Sequence, residues 1–300
     1  MKLLLVKSWI HKKNTRGIEL LSKYWNAELT MTDDQSEYQK EWDLVILPSS
    51  YISPWAFPSA KKLLYGPHCF IHLTHPWTTE SFFDARCSYN FLSQWVLDFV
   101  LEQGQIGVQP VLLPFPVDVD RFQPTPQKQA SEFECFVYCK YRDITLYNEI
   151  FSYLQSKQIK FCIFDCRRKY SEEDYLRELQ SVKFGIWIGT HESQGFALQE
   201  ALSCNVPLVV LEATSMFDER NERQEIAYQA EIGKYKMKTT TCTYWDERCG
   251  YKDPSVQNTL QNIDKMRETY GTFRPREFLL EYLSPEKCAK RFEYVLGLEG

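Results

Sequence analysis

Residues 184–211, FGIWIGTHESQGFALQEALSCNVPLVVL, leave this chain little choice of fold. Residues 184–188 form a short apolar run of the kind that fills a strand buried on both faces. Residues 190–195 break the run with polar side chains and glycine. Residues 196–204 then carry apolar side chains at helical spacing: Ala197, Leu198, Ala201 and Leu202. Asn205 can adopt the left-handed conformation that ends a helix, and Pro207 cannot continue one. An apolar run resumes at 208–211. Strand, loop, helix and strand in that order make a parallel βαβ unit, whose first loop lies at the carboxyl edge of its sheet. Open α/β folds bind ligands at that edge. The helix amino terminus there has backbone N–H groups that suit a phosphate.

Glu192 and Glu200 bracket this turn. One carboxylate near a helix start complements the helix dipole and needs no further reason. Two beside a phosphate site suggest a ligand with hydroxyls as well as phosphates, because carboxylates accept hydrogen bonds from sugar OH groups. Taken alone, a pair of glutamates at this spacing is also what a solvated surface helix carries.

The rest of the chain repeats the pattern. Short apolar runs at 2–6, 44–47, 70–73 and 111–113 alternate with helical-period segments such as 17–25 and 91–103. A second series of runs follows at 133–139, 160–164, 184–188 and 208–211. Between the series lies QPTPQKQA, residues 123–130, with two prolines and no apolar periodicity. The expected organisation is an amino-terminal domain over 1–122, a linker over 123–130, a second domain over 131–282 and a closing helix over 283–300. Alternating strands and helices imply parallel sheets with helices on both faces, and 300 residues suffice for two cores.

Composition narrows the function classes. The net charge of −5 argues against a nucleic-acid partner, which asks for a basic surplus. The start, MKLLLVKSW, is too short an apolar run for a signal peptide and reads as a first strand, so the expected location is cytoplasmic. No window approaches a membrane span. The ten cysteines include no Cys-x-x-Cys pair, so reduced, mostly buried thiols are expected rather than a zinc site.

ESQGFALQEALSCNVPLVV resembles the glutamate–seven residues–glutamate signature of retaining GT-B glycosyltransferases, the group that includes glycogen and sucrose-phosphate synthases and bacterial cell-surface glycosyltransferases. Three further segments resemble the family in the same order: PVLLPFPVDVDRFQP (110–124), CGYKDPSVQNTL (249–260) and LSPEKCAKRFEYVL (283–296). The first 110 residues match in layout only.

The resemblance implies a GT-B fold, with two Rossmann-like parallel-sheet domains facing a cleft, and a set of roles. Glu200 would bind the ribose of a donor nucleotide, and Glu192 would contact hydroxyls of the transferred sugar. Backbone N–H groups of Ser193, Gln194, Gly195 and Phe196 would receive the diphosphate. A family arginine, with a later lysine, follows the first strand of the second domain; here the stretch is FVYCKYRD, so Lys140 or Arg142 takes the role, and the family's Lys-Gly is missing. Arg167, Arg168 and Lys169 read as a solvated basic loop. In the first domain, IHLTHPW places His75, with His72 second, where the family has a histidine close to the transferred sugar. The family's glycine-rich first loop is poorly reproduced by WIHKKNTRG, with Lys12, Lys13, Arg16 and Gly17 left to approach phosphate or acceptor. Asp118-Val119-Asp120 looks like a metal–diphosphate motif, but the interdomain match already explains it.

The implied reaction is retaining transfer of a sugar from a nucleotide-sugar donor, UDP- or GDP-linked, to a glycan, lipid or other hydroxyl acceptor. No cofactor or obligatory metal is expected, and a peripheral membrane contact is compatible with a lipid acceptor. A nucleotide-sugar 2-epimerase of the same fold and a degenerate sugar-nucleotide-binding scaffold are the alternatives.

Overall fold

The computed structural model describes residues 1–49, 52–67, 84–102, 108–125, 132–168, 170–219 and 238–298. In chain order the strands and helices are β1 (Lys2–Val6), α1 (Lys12–Tyr24), β2 (Glu28–Thr32), β3 (Trp42–Leu47), β4 (Ala60–Tyr65), β5 (Cys87–Phe91), α2 (Gln94–Glu102) and β6 (Gln109–Leu112). They continue with β7 (Cys135–Cys139), α3 (Ile144–Ser156), β8 (Phe161–Asp165), α4 (Glu172–Leu179), β9 (Phe184–Ile188), α5 (Phe196–Ser203) and β10 (Leu208–Leu211). The last are β11 (Gly250–Asp253), α6 (Val256–Thr269), α7 (Pro275–Leu283) and α8 (Pro285–Leu296). Among the described residues no helix is long and apolar enough to cross a membrane. The nine described cysteines are free thiols.

The chain divides into two compact units, Met1–Asp118 with Tyr282–Gly300, and Val119–Glu281. In the first, six parallel strands run in the order β2-β1-β3-β4-β5-β6. Its core is the apolar run of β1 and β3, with Leu3, Leu4, Leu44, Val45 and Leu47 wholly buried. Helix α1 buries Gly17, Ile18, Leu21 and Ser22, one stripe at helical spacing. Gly17 is there because of packing: a Cβ on it would stand 2.6 Å from Phe115 Cβ. Helix α8 closes the same unit. Phe292 lies against Phe115 and Trp25, with ring centroids 6.0 and 6.1 Å away, and Trp25 Nε1 donates to Glu293 Oε1 at 2.7 Å.

The second unit holds five parallel strands in the order β11-β10-β9-β7-β8. Strands β7, β9 and β10 are buried throughout, which is why their sequences are unbroken apolar runs. Gly185 lets β9 sit under its neighbours, since a Cβ would stand 2.3 Å from the Phe136 ring and 2.7 Å from Leu208 Cδ2. Asn205, at φ 59°, ends α5 as the sequence suggested.

Several element boundaries differ from expectation. Helix α1 begins at Lys12, not near Gly17, so Lys12, Arg16 and Gly17 lie in a helix rather than a loop. The segment expected to be helical from Phe91 starts with the end of β5, and α2 begins at Gln94. Strands β2, β4 and β5 have no apolar run long enough to announce them. In β5 a buried Asn90 interrupts the run, its side chain exchanging two 3.0 Å hydrogen bonds with the Leu113 backbone. The strand expected at 70–73 lies outside the described residues.

Candidate functional site

In the second sheet the chain leaves β7 toward β8, returns to β9 on the other side of β7, and moves away through β10 to β11. The two central strands are therefore the point where the winding reverses, and the loops after them splay apart at the carboxyl edge. Both segments singled out by sequence emerge there: Lys140 and Arg142 after β7, and residues 189–195 after β9.

These two loops are joined by charge. Lys140 N–H donates to the Ile188 carbonyl at 3.0 Å, and its Nζ donates to Glu192 Oε1 at 2.7 Å. The side chains are 25% and 13% exposed, so the pair is shielded enough to matter electrostatically. Burial works against the Lys140 ammonium, but the charge and hydrogen bond of Glu192 outweigh it, and the Lys140 pKa is raised. Tyr141 between the two cations holds a left-handed φ of 48°, a conformation that costs a non-glycine residue energy and recurs at functional sites. Arg142 is buried. Its Nη1 donates to the Gly189 carbonyl at 3.2 Å and stands 3.9 Å from Asp218 Oδ2.

The turn before α5 is built for close approach. Gly195, the N-cap, has φ 84° and offers no side-chain hydrogen bond to the helix start. The first backbone bond of the helix is Gln199 N–H to the Gly195 carbonyl at 3.0 Å, so intrahelical bonding does not use the N–H groups of Phe196 to Leu198. Gln194 is buried and locked, its Nε2 donating to Gln199 Oε1 at 3.1 Å and its carbonyl accepting from Thr243 Oγ1. Ser193 is exposed. Glu192 N–H donates to the Thr240 carbonyl at 3.1 Å, tying the loop to the segment beyond β10.

Glu200 is not a solvated helix residue: it is 3% exposed. Its charge reaches Tyr170 and Tyr175, whose rings pack together, and Tyr175 Oη donates from α4 to the Ala197 carbonyl at 2.8 Å. Burial first, and the Glu200 carboxylate second, push the Cys204 thiol up to about 12. Arg167 is occupied with Asp165: its Nε donates to Oδ1 at 3.0 Å and Oδ2 at 3.2 Å, its Nη2 to Oδ2 at 2.8 Å, and its backbone N–H to Oδ1 at 2.9 Å.

In the first unit, Lys12 and Arg16 lie on the first turns of α1, whose N-cap His11 accepts from Lys13 N–H at 3.3 Å. His75, His72 and Lys169 lie outside the described residues. Among the described residues no group of three His, Cys, Asp or Glu side chains could hold a metal ion. Sequence reading missed His191 and Glu219. His191 Nδ1 lies 3.3 Å from Glu219 Oε2, beside the Lys140–Glu192 pair. The signal for His191 was its position next to Glu192; Glu219 has no local signal.

No protein-family model and no curated protein matches the chain. Solved structures do. A glycosyltransferase involved in avilamycin A biosynthesis, AviGT4, is 13% identical with TM-score 0.56, the match covering 99% of this chain and 97% of that one. Sucrose-phosphate synthase from Thermosynechococcus elongatus is 9% identical with TM-score 0.58, covering 98% of both chains. Anabaena Alr3699/HepE in complex with UDP is 8% identical with TM-score 0.59, covering 99% of both. These neighbours are GT-B glycosyltransferases, the group the sequence resembles, and the chain has their fold of two Rossmann-like parallel-sheet domains.

Proposed function

We propose that this chain is a retaining, metal-independent glycosyltransferase that moves a sugar from a nucleotide-sugar donor to a hydroxyl acceptor. The observation that carries the reading is the Lys140–Glu192 pair at the reversal point of the second sheet, with Glu200 buried one helical segment away. A fixed cation, helix N–H groups and two carboxylates are what a sugar linked to a diphosphate asks for.

In this reading the diphosphate lies across the start of α5, against Lys140 and the N–H groups of Ser193–Phe196. Gly195 leaves room for it. Glu192 keeps Lys140 charged and accepts from the sugar hydroxyls, and Glu200 accepts from the ribose. Arg142 braces the Gly189 carbonyl and so the loop itself. As the bond from the anomeric carbon to the phosphate oxygen breaks, the growing phosphate charge is met by Lys140 and the N–H dipoles. The acceptor oxygen bonds to the same face of the anomeric carbon and passes its proton to the departing phosphate, so no protein nucleophile is consumed. His75 is assigned the sugar side of the reaction, and Lys12 and Arg16 the acceptor. The acceptor is a glycan or lipid hydroxyl.

Thermal shift with UDP, GDP, ADP and CMP and their sugar conjugates, with and without EDTA, is the test. UDP sugars come first, because Alr3699/HepE, of the same fold, is in complex with UDP. The expected result is a rise with one nucleotide class that survives EDTA and disappears in Glu200→Ala. No rise with any nucleotide overturns the reading. Epimerised free donor in the product mixture replaces transfer by epimerisation, and the anomeric configuration of a transferred sugar, read by NMR, decides retention.

A further inference from the structure

The loop carrying Glu192 is tied to residues 238–243, KTTTCT. This strap belongs to no helix or strand, so its backbone groups need partners of another kind. Lys238 makes an isolated bridge to Ser215, and Thr239 N–H donates to the Thr214 carbonyl at 3.2 Å. The Thr240 carbonyl accepts from Glu192 N–H at 3.1 Å, and Thr241 Oγ1 accepts from Ala213 N–H at 2.9 Å. Thr243 Oγ1 donates to the Gln194 carbonyl. The strap thus joins the turn after β10 to the loop after β9.

One side chain anchors the strap. Glu212 directly follows β10, and its N–H donates to the carbonyl of Asp253, the last residue of β11, at 2.9 Å. Its backbone is therefore fixed by the sheet. Its Oε1 accepts from the Thr240 hydroxyl and from Thr241 N–H, the latter at 3.1 Å. Thr240 Oγ1 in turn accepts from Cys242 N–H at 3.0 Å. Glu212 is 9% exposed and Thr241 is wholly buried. A carboxylate in such surroundings costs free energy, and the hydroxyl and amide that meet it are neutral. Removing it leaves the buried Thr241 N–H unmet, so the strap must shift to find another acceptor.

We propose that Glu212 is a positioning residue: through Thr240, Thr241 and Thr243 it fixes the loop that presents Glu192 to the transferred sugar and Gly195 to the diphosphate. The inference rests on the nucleotide-sugar reading above. Rates fall steeply when groups around a reacting centre are slightly displaced, so the chemistry depends on a carboxylate that touches no ligand.

Amide hydrogen exchange tests the geometry without any ligand. In Glu212→Ala the amides of Glu192, Thr241 and Cys242 speed up by more than those of β7 and β9 do. Glu212→Gln, whose side-chain oxygen still accepts from both donors, keeps their protection. Calorimetry with the glucose conjugates of UDP, GDP and ADP tests the consequence, at a temperature where each variant is folded. Glu212→Ala and Thr243→Val each weaken the conjugate that binds the wild type by on the order of tenfold, the scale of one hydrogen bond. The double variant loses no more than the weaker single variant, because both changes break the same path. Glu212→Gln retains the affinity that Glu212→Ala loses. Thr240→Val removes only the hydroxyl donated to Glu212, and it takes the place of Glu212→Ala if that variant does not fold. Unchanged exchange at Glu192, losses that add in the double variant, or lowered stability with unchanged affinity overturns the proposal. Failure of every conjugate to bind the wild type overturns the nucleotide-sugar reading instead, while exchange at Glu192 still decides whether Glu212 holds the loop.

Discussion

Lys140 and Glu192 depend on each other. Replacing Lys140 by Met leaves a largely buried carboxylate without its cation and removes the charge proposed to meet the leaving phosphate. Turnover of Lys140→Met is expected to fall by on the order of a hundredfold or more in steady-state assays, the scale of losing one preorganised electrostatic contact. Unchanged turnover would remove Lys140 from the chemistry. Gly195→Ala forces a side chain into φ 84° with its Cβ 3.4 Å from Glu192 Cβ. It is expected to lower the unfolding free energy by about 1–2 kcal/mol and to weaken donor binding, both measurable on one preparation by urea titration and calorimetry. His191 gives a pH signature. Its folded pKa is lowered, to about 3 from 6.5, so between those values the unfolded chain binds a proton that the folded chain does not. Stability therefore falls as pH drops from 6.5 toward 3. Glu219, raised above 4.5 by burial first, acts in the opposite sense from 4.5 up to its raised value, where stability falls as pH rises, and so offsets part of that slope. His191→Gln should lose less of its urea midpoint between pH 7 and pH 4 than the wild type does; an equal loss would assign the acid sensitivity to other groups.

At the scale of elements, close approaches between strands set the tolerances. Gly185→Ala places a methyl group 2.3 Å from the Phe136 ring and is expected to cost about 1–3 kcal/mol by overpacking. Gly271→Ala, with nothing within 4 Å, is the neutral control. Equal denaturation midpoints for the two variants would show that β9 can shift away from β7. Similar approaches explain what could be read in the sequence. Strands β7, β9 and β10 are buried on both faces and wrote themselves as apolar runs, and the β9–α5–β10 turn carried its own punctuation in Gly195, Asn205 and Pro207. Edge strand β2, ELTMT, is only partly buried and carries no such run. Strand β4 has Lys61 and Lys62 in its first half, and β5 carries Asn90, whose hydrogen bonds to Leu113 are made across the sheet and have no trace in local sequence. Lys140 and Glu192 were legible because they lie within a few residues of strand ends, and Glu200 because its spacing from Glu192 resembles a known motif. Glu219 was not, because it reaches His191 from a separate turn 28 positions later, and such a contact is a property of tertiary structure alone.

For the molecule as a whole, the last helix belongs with the first strands. Phe292 is wholly buried against Phe115, and Trp25 packs on its edge. Phe292→Ala is expected to cost about 3–5 kcal/mol, and the loss should fall on the first unit, read as early exchange of β1 and β3 amides relative to β7 and β9. Uniform exchange across both units would mean that they unfold together. The same arrangement inverts the order in which the two units can be completed as the chain is made. Domains usually fold in the order they are made. Here residues 119–281 are contiguous, so that unit has all its parts while the nascent chain still lacks α8, and the earlier-made strands of the first unit must wait for α8 before the surface over Phe115 is covered.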